Sequence, residues 1–223
     1  MSPPDLGAGT TYAPAVHVQA GVADIGVPTA SGYAEGTRIA TTRGQVRIEA
    51  LRPGDLIVNP WNEHLPVHRL GQRHVDFRRH PELHDAWPVR VWAHAFGPGL
   101  PMRDVVLAPD HTLYVDDLLV PVHCLVNGTT VAQEQADSIT WWQVELERHD
   151  VLLAERLPAE SYLDTGNRSA FADGGPAVTP DPDFAREAWE TSACGWLATT
   201  GPAVAAIRAR LLARAQLLGH AAA

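Results

Sequence analysis

Short stretches in which apolar and polar residues alternate, separated by turn residues, run through most of the chain as far as residue 171. Within residues 36–55 the alternating apolar positions, as in half-buried strands, are Ile39, Val46, Ile48 and Leu51. Arg43-Gly44 and Pro53-Gly54 supply turns, since proline presets φ and glycine tolerates positive φ. We therefore predict a hairpin followed by a tight turn in this stretch.

The same period of two continues downstream. Asp116-Asp117 separates two apolar runs, residues 112–115 and 118–120, by the two residues that a tight hairpin needs. In residues 139–146 we expect the core face to carry Thr140, Trp142, Val144 and Leu146. Short strands at this spacing predict a mostly β domain.

The hydrophobic period changes near the C-terminus. Residues 201–219 are rich in Ala, Leu and Arg, with apolar residues near helical spacing, and they end at Gly219. The pattern predicts an amphipathic helix that docks on its own domain through Ile207, Leu211 and Leu218. Binding of a protein partner through this helix is the alternative use.

These patterns divide the chain into four segments. Residues 1–31, rich in Pro, Gly, Ala and Thr, are expected to form a flexible leader. Residues 32–171 form the β domain, and residues 172–200 are expected to be an irregular linker because they begin with a Gly/Pro/Asp-rich run. The C-terminal helix occupies residues 201–219.

Composition supports a globular chain and excludes several classes of partner. The 223 residues are 45% hydrophobic and 19% charged, which allows a sizeable core. The formal net charge of −9 argues against binding to nucleic acid or to anionic lipid, both of which require a basic surface. No signal peptide or membrane-spanning run is seen, and no localisation or certain partner is assigned.

The cysteines and histidines do not predict a metal or cofactor site. Cys124 and Cys194 are far apart in sequence, so two separate thiols are expected, although a disulfide stays open. Six histidines form a loose cluster in sequence, but prolines and the strand pattern argue against the helices that would gather them: His64, His68, His74, His80, His84 and His94. We predict neither a bound metal nor a cofactor.

Five motifs occur in a fixed order along residues 32–168: GYAEGT, LRPGD, VVLAPDH, VELERHDVLLAE and LPAESYLDTGNR. In order and spacing they resemble the Hedgehog/intein (Hint) domain family, in particular the bacterial Hint-like domains. The resemblance covers roughly residues 32–171. It implies a mostly β fold, a compact Hint-type β horseshoe with pseudo-two-fold symmetry, here followed by a C-terminal helix.

The resemblance also implies a reaction. Hint domains attack the carbonyl that precedes their first residue with a Cys or Ser side chain, an autoproteolytic N-to-S/O acyl shift. A His protonates the leaving nitrogen, and a Thr or Ser three residues before it helps to bend the bond. Here the junction position of the nucleophile is Gly32, the His is His111, and the hydroxyl position is Ala108.

Three further residues are candidates for chemistry. Ser31 is the nearest hydroxyl, but a one-residue slip in an extended segment turns a side chain to the opposite face. Asp110 and Asp150 are candidates for a base or an orienting carboxylate, with solvated loop carboxylates as the alternative. No intein-type splicing is expected, because Asn167 is not preceded by His.

Two functions from different classes remain open at this point. The first is a Hint-domain protein related to self-cleaving modules, with cleavage impaired at Gly32 and no turnover of a separate substrate. The second is a non-catalytic Hint-fold domain that serves as a structural or protein-interaction module.

Overall fold

The computed structural model describes residues 31–79, 85–171 and 181–219. The strands in these residues are β1 (Tyr33–Ala34), β2 (Arg38–Thr41), β3 (Gly44–Arg47), β4 (Leu56–Val58), β5 (His64–Asp76), β6 (Val89–Val91), β7 (Val105–Leu107), β8 (Thr112–Val115), β9 (Leu118–Pro121), β10 (Val131–Gln133), β11 (Ser138–Leu146), β12 (Val151–Ala154), β13 (Leu157–Glu160) and β14 (Trp196–Leu197). The helices are α1 (Pro182–Ser192) and α2 (Pro202–Leu217). Of the predicted leader, only Ser31 lies within the described residues.

The strands form one continuous but unclosed path in which neighbours are antiparallel, except that β14 runs parallel to β9. The path is β10-β6-β7-β1-β11-β5-β4-β2-β12-β13-β8-β9-β14, with β3 paired to β2. The long strand β5 pairs with β4 at its start and with β11 along the rest of its length. It therefore joins the two halves of the fold. The predicted mostly β class with a C-terminal helix is confirmed.

The hairpin predicted around Asp116-Asp117 is confirmed. Strands β8 and β9 pair from Val115 opposite Leu118 onwards. Both turn residues have positive φ, 52° and 62°, as the tight hairpin turn requires. Asp residues tolerate this conformation better than most side chains, which explains how a hairpin forms here without glycine.

The aromatic pair on β11 divides between two hydrophobic clusters. Trp141 is buried in a small cluster with Val75, Phe77 and Ala108, whereas Trp142 is half-buried against the main core. The expected polar-versus-core alternation is therefore wrong for this strand. Both of its faces are covered by packed side chains, so its two sets of residues are both inward-facing.

The described part of the segment expected to be a linker contains α1 and β14. The helix begins with a side-chain cap, because the Asp181 carboxylate accepts a hydrogen bond from the Asp183 backbone N–H at 2.9 Å. Pro182 follows at the first helical position, where its missing N–H costs nothing. This helix start signal, an Asp followed by a Pro, is local and can be recognised in the sequence. Residues 172–180 lie outside the described residues.

Helix α2 packs on the main core through one face. Its buried residues recur at helical spacing: Val204, Ile207, Leu211 and Ala215. The prediction of Leu218 as a docking residue is wrong, because Leu218 follows the last helical residue and is 37% exposed. Neither helix in the described part of the chain has the length and apolar character needed to cross a membrane.

Replacing one buried leucine of α2 should destabilise the whole domain. Leu211 is 3% exposed, so we expect Leu211→Ala to lower the free energy of unfolding by about 2–5 kcal/mol through lost burial and a cavity. Leu217→Ala is the matched control, since Leu217 is 84% exposed, and its effect should stay within about 0.5 kcal/mol. Denaturant unfolding of both variants measures this. Equal midpoints would show that α2 does not contribute to domain stability.

Candidate functional site at the start of strand β1

The chain enters the fold between two strands. Tyr33 of β1 lies opposite Trp142 of β11 on one side and Leu107 of β7 on the other. Just before it, the Gly32 carbonyl accepts a hydrogen bond from the Ala108 backbone N–H at 2.9 Å. Position 108 therefore lies beside the 31/32 junction.

Gly32 occupies a position with no room for a side chain. Its φ is +149°, and an added Cβ would lie 2.9 Å from the Trp142 carbonyl oxygen and 3.2 Å from the Trp141 Cβ. The first of these contacts is to backbone, which cannot rotate away. Any larger residue here requires β1 or β11 to shift.

Ser31 lies half-buried at the entrance to β1. Its hydroxyl oxygen accepts a hydrogen bond from the Gln143 side-chain amide at 2.5 Å. The same amide nitrogen would be 3.6 Å from a Cβ added to Gly32. Ser31 is therefore held against β11 next to the junction.

His111 lies in the turn between β7 and β8 and is fully buried. The turn closes with a hydrogen bond from its N–H to the Ala108 carbonyl at 3.0 Å. Its ring packs edge-on against Tyr33, with the centroids 4.2 Å apart. The described residues provide no hydrogen-bond partner for either imidazole nitrogen.

Burial controls the charge of His111. It lowers the pKa of the imidazole to about 4, against the opposing effect of the Glu160 carboxylate. His149 adds a smaller effect that also lowers this pKa. At neutral pH His111 is therefore an uncharged group that packs against Tyr33.

A buried carboxylate connects the elements around His111. Glu160, at the end of β13, accepts the Thr112 backbone N–H through Oε1 at 2.8 Å. This Oε1 is 3.8 Å from His111 Nδ1, and Oε2 is 3.5 Å from His149 Nε2. The Glu160 backbone carbonyl accepts the Tyr33 hydroxyl at 2.6 Å. Through these two hydrogen bonds Glu160 connects β13 to β1 and β8, and its carboxylate lies between the two histidines.

The two aspartates predicted as candidates lie outside this cluster. Asp110 Oδ1 is on the surface, 3.4 Å from His123 Nδ1, and raises the pKa of His123 to about 10. Asp150 is buried and accepts hydrogen bonds from Arg148 Nε at 3.0 Å and Asn59 Nδ2 at 3.2 Å. The structure brings neither carboxylate to His111.

Sequence reasoning assigned no role to Glu160, although a signal for it existed. The β12–β13 hairpin turns at Glu155-Arg156, and its register places Val151 opposite Glu160. A two-residue turn predicted there would have put Glu160 beside His149. The described residues contain no group of three side chains able to hold a metal ion.

The Glu160 carboxylate and the two imidazoles beside it can bind a proton, but position 32 offers no nucleophile. Its backbone arrangement is nevertheless that of a chain entering a preformed slot next to a histidine turn.

The family profile described as Hint domain matches residues 31–166, more than half of the chain. Comparison with curated protein sequences gave no match. Among solved structures, the gp41-1 intein is similar with a TM-score of 0.43 and 10% identity, over 58% of this chain and 98% of that one. The bacterial intein-like domain from Clostridium thermocellum is similar with a TM-score of 0.40 and 16% identity, over 60% and 99%. The extent of the profile match shows that the chain belongs to the Hint domain family.

Proposed function

We propose that this Hint domain retains the scaffold of the self-cleaving modules but does not cleave itself at the 31/32 junction. One observation carries the proposal: the residue at the nucleophile position is glycine, in a slot where an added Cβ would lie 2.9 Å from a backbone oxygen. The domain then serves as a folded structural or protein-interaction module.

The surroundings of the junction support the same proposal. Ala108, whose N–H binds the Gly32 carbonyl, has no hydroxyl with which to help bend the scissile bond. His111 is uncharged at neutral pH because burial lowers its pKa to about 4, so it is a poor proton donor. Nucleophile, hydroxyl and charged acid are all lacking at this junction.

Weak cleavage started by Ser31 is the second candidate. The observation that favours it is the contact between the Ser31 hydroxyl and the Gln143 amide next to the junction. A serine hydroxyl requires an activating base, however, and an amide is not one. Attack by Ser31 would release residues 1–30, whereas attack from position 32 would release residues 1–31.

The intact mass of the purified chain tests the proposal. We expect the wild-type protein to keep its full mass on incubation with and without added thiol. The double variant Gly32→Cys/Ala108→Ser supplies a thiol and a hydroxyl at the junction. It should release residues 1–31 in a thiol-dependent way once β1 or β11 has shifted to admit the new side chain. Adding His111→Ala should suppress that release if His111 is the proton donor.

Gly32→Ala/Ala108→Ser is the matched control. It introduces the same Cβ against the Trp142 carbonyl oxygen without a thiol, so it separates strain from chemistry. It should not release a fragment. Wild-type protein that releases residues 1–31 or 1–30 by itself would refute the proposal, and the second product would identify Ser31 as the nucleophile.

The low pKa of His111 predicts a loss of stability in acid. The unfolded chain binds a proton at this imidazole below its ordinary pKa of about 6.5, and the folded chain only near 4. His111 therefore lowers the free energy of unfolding by about 1.4 kcal/mol per pH unit as pH falls through this window. Stability should be unaffected by this group above pH 6.5.

His111→Gln should remove that part of the pH dependence. Denaturant unfolding between pH 7 and pH 4 measures it, as the difference in unfolding free energy between wild type and variant. His64→Gln, at an exposed position of β5, controls for the loss of an imidazole from the surface. A difference between wild type and His111→Gln that is constant over pH would mean that His111 has the same pKa in the folded and the unfolded chain, which contradicts the prediction.

A further inference from the structure

The proposed function does not use His149, a buried histidine that has the cysteine Cys194 beside it. Cys194 follows α1, is half-buried and is not in a disulfide. Its backbone N–H donates a hydrogen bond to His149 Nδ1 at 3.0 Å. Because Cβ and Sγ are one and two bonds beyond the Cα of Cys194, the thiol is confined to the neighbourhood of this imidazole nitrogen.

The opposite nitrogen of the imidazole faces a carboxylate. His149 Nε2 is 3.5 Å from Glu160 Oε2. Both atoms are buried and have no hydrogen-bond partner among the described residues by strict geometry, so they are available to each other. Since Nδ1 accepts the Cys194 N–H, the proton of the neutral ring belongs on Nε2, where it points toward Glu160.

The surroundings of His149 are dry and partly aromatic. Its side chain is 1% exposed, and the Trp189 ring of α1 packs edge-on against it, with the centroids 6.0 Å apart. Burial opposes a charge on His149, whereas Cys194 and Glu160 favour the charged ring and raise its pKa, so a proton that leaves the Cys194 thiol is stabilised on this imidazole. The other titratable groups that face this pair are Tyr33, His111 and Tyr114.

We propose that Cys194 is a nucleophilic thiol, with His149 as its base and Glu160 as the carboxylate that positions His149, and that it accepts an acyl group from an activated ester or thioester. A thiol, an imidazole and a carboxylate in this order form the arrangement used by cysteine nucleophiles on unrelated folds. Cys194 lies outside residues 31–166, the part that matches the Hint profile. The proposed reaction uses neither Ser31 nor Gly32, although Glu160 also lies beside His111.

The acyl transfer is balanced and involves no change of oxidation state. The thiol proton moves to His149 Nδ1, which gives up its hydrogen bond from the Cys194 N–H. The sulfur forms a bond to the acyl carbon, and the bond from that carbon to the leaving oxygen or sulfur breaks. The leaving group takes the proton from His149, and Cys194 holds the acyl group as a thioester.

The neighbourhood of the thiol suits a small or apolar acyl group. A Cβ on Gly195 would be 3.3 Å from Leu119 and 3.5 Å from Tyr114, so the chain beside the thiol packs on apolar surface. Tyr114 in turn contacts the ring of Trp61, which is 54% exposed. Trp61 and Tyr114 thus form an aromatic pair, of which Trp61 is open to solvent.

The test uses p-nitrophenyl acetate on the full chain. We expect a stoichiometric release of p-nitrophenolate and a single acetyl group, which peptide mass spectrometry locates on Cys194. Cys194→Ser should abolish the adduct. Cys124→Ser should keep it, and this variant is the matched control because Cys124 is also half-buried and lies 3.3 Å from His123 Nε2. An adduct that is found on Cys124 alone refutes the proposal.

Two further measurements do not depend on a single variant. Cys194 in the folded chain should acylate faster than in the chain unfolded in denaturant at the same pH, and an equal or lower rate overturns the proposal. His149→Gln, provided that its circular dichroism matches that of wild type, should lower the rate by about 100-fold. An unchanged rate in the folded variant also overturns it.

Glu160→Gln tests the positioning role separately from folding. Without the carboxylate, an imidazolium next to the sulfur is less stabilised, so the rising limb of the acylation rate should move to higher pH. A purely structural role of Glu160 would lower the amount of reactive protein without moving that limb, and this result would remove Glu160 from the proposal. The intact mass of the same samples without p-nitrophenyl acetate reports cleavage at the 31/32 junction. A failure of the Cys194 proposal can therefore be told apart from a failure of the proposed function.

Discussion

The region around the chain entrance depends on one buried carboxylate. Burying an ionised carboxyl group is costly unless hydrogen bonds and opposite charges replace its water. Glu160 obtains a hydrogen bond from the Thr112 N–H and lies 3.5 Å from the His149 imidazole, while its own backbone carbonyl accepts the Tyr33 hydroxyl. Strands β1, β8 and β13 are thereby fixed relative to one another. The slot that receives residues 31–33 is a consequence of that arrangement.

At the start of β1 the surrounding strands pack tightly around Gly32. The Gly32 carbonyl is bound by the Ala108 N–H, and the face that would carry a side chain is filled by the backbone of Trp142. Close packing of this kind is favourable for stability because it leaves no void. It is also incompatible with a nucleophile at this position in the present backbone.

Much of the fold could be predicted from the sequence, because strands, turns and helices have local signals. The Asp116-Asp117 hairpin, the mostly β class and the C-terminal helix were all predicted from residue spacing and turn chemistry, and the structure has all three. Local pattern failed where burial was decided by distant elements. Both faces of β11 are covered, so alternation could not identify its core side, and Leu218 is lost from the α2 interface because the helix ends before it.

The candidate site was less predictable for the same reason. The positions of Gly32 and His111 came from matching motifs, but Glu160 and Cys194 gain their roles only through tertiary contacts. Cys194 lies 45 residues from the histidine to which it donates, beyond a segment that composition alone describes as irregular. A residue whose partners are that far away in sequence has no local signature.

The two histidines compete for the single carboxylate, and the outcome determines where chemistry can occur. Burial lowers the pKa of His111 to about 4, while Cys194 and Glu160 raise the pKa of His149. One carboxylate can stabilise one imidazolium well, and a second positive charge in the same dry cluster would repel the first. His149 is the closer partner and also has the thiol beside it. A proton that enters this cluster is therefore stabilised on His149, on the Cys194 side of Glu160, and His111 stays neutral.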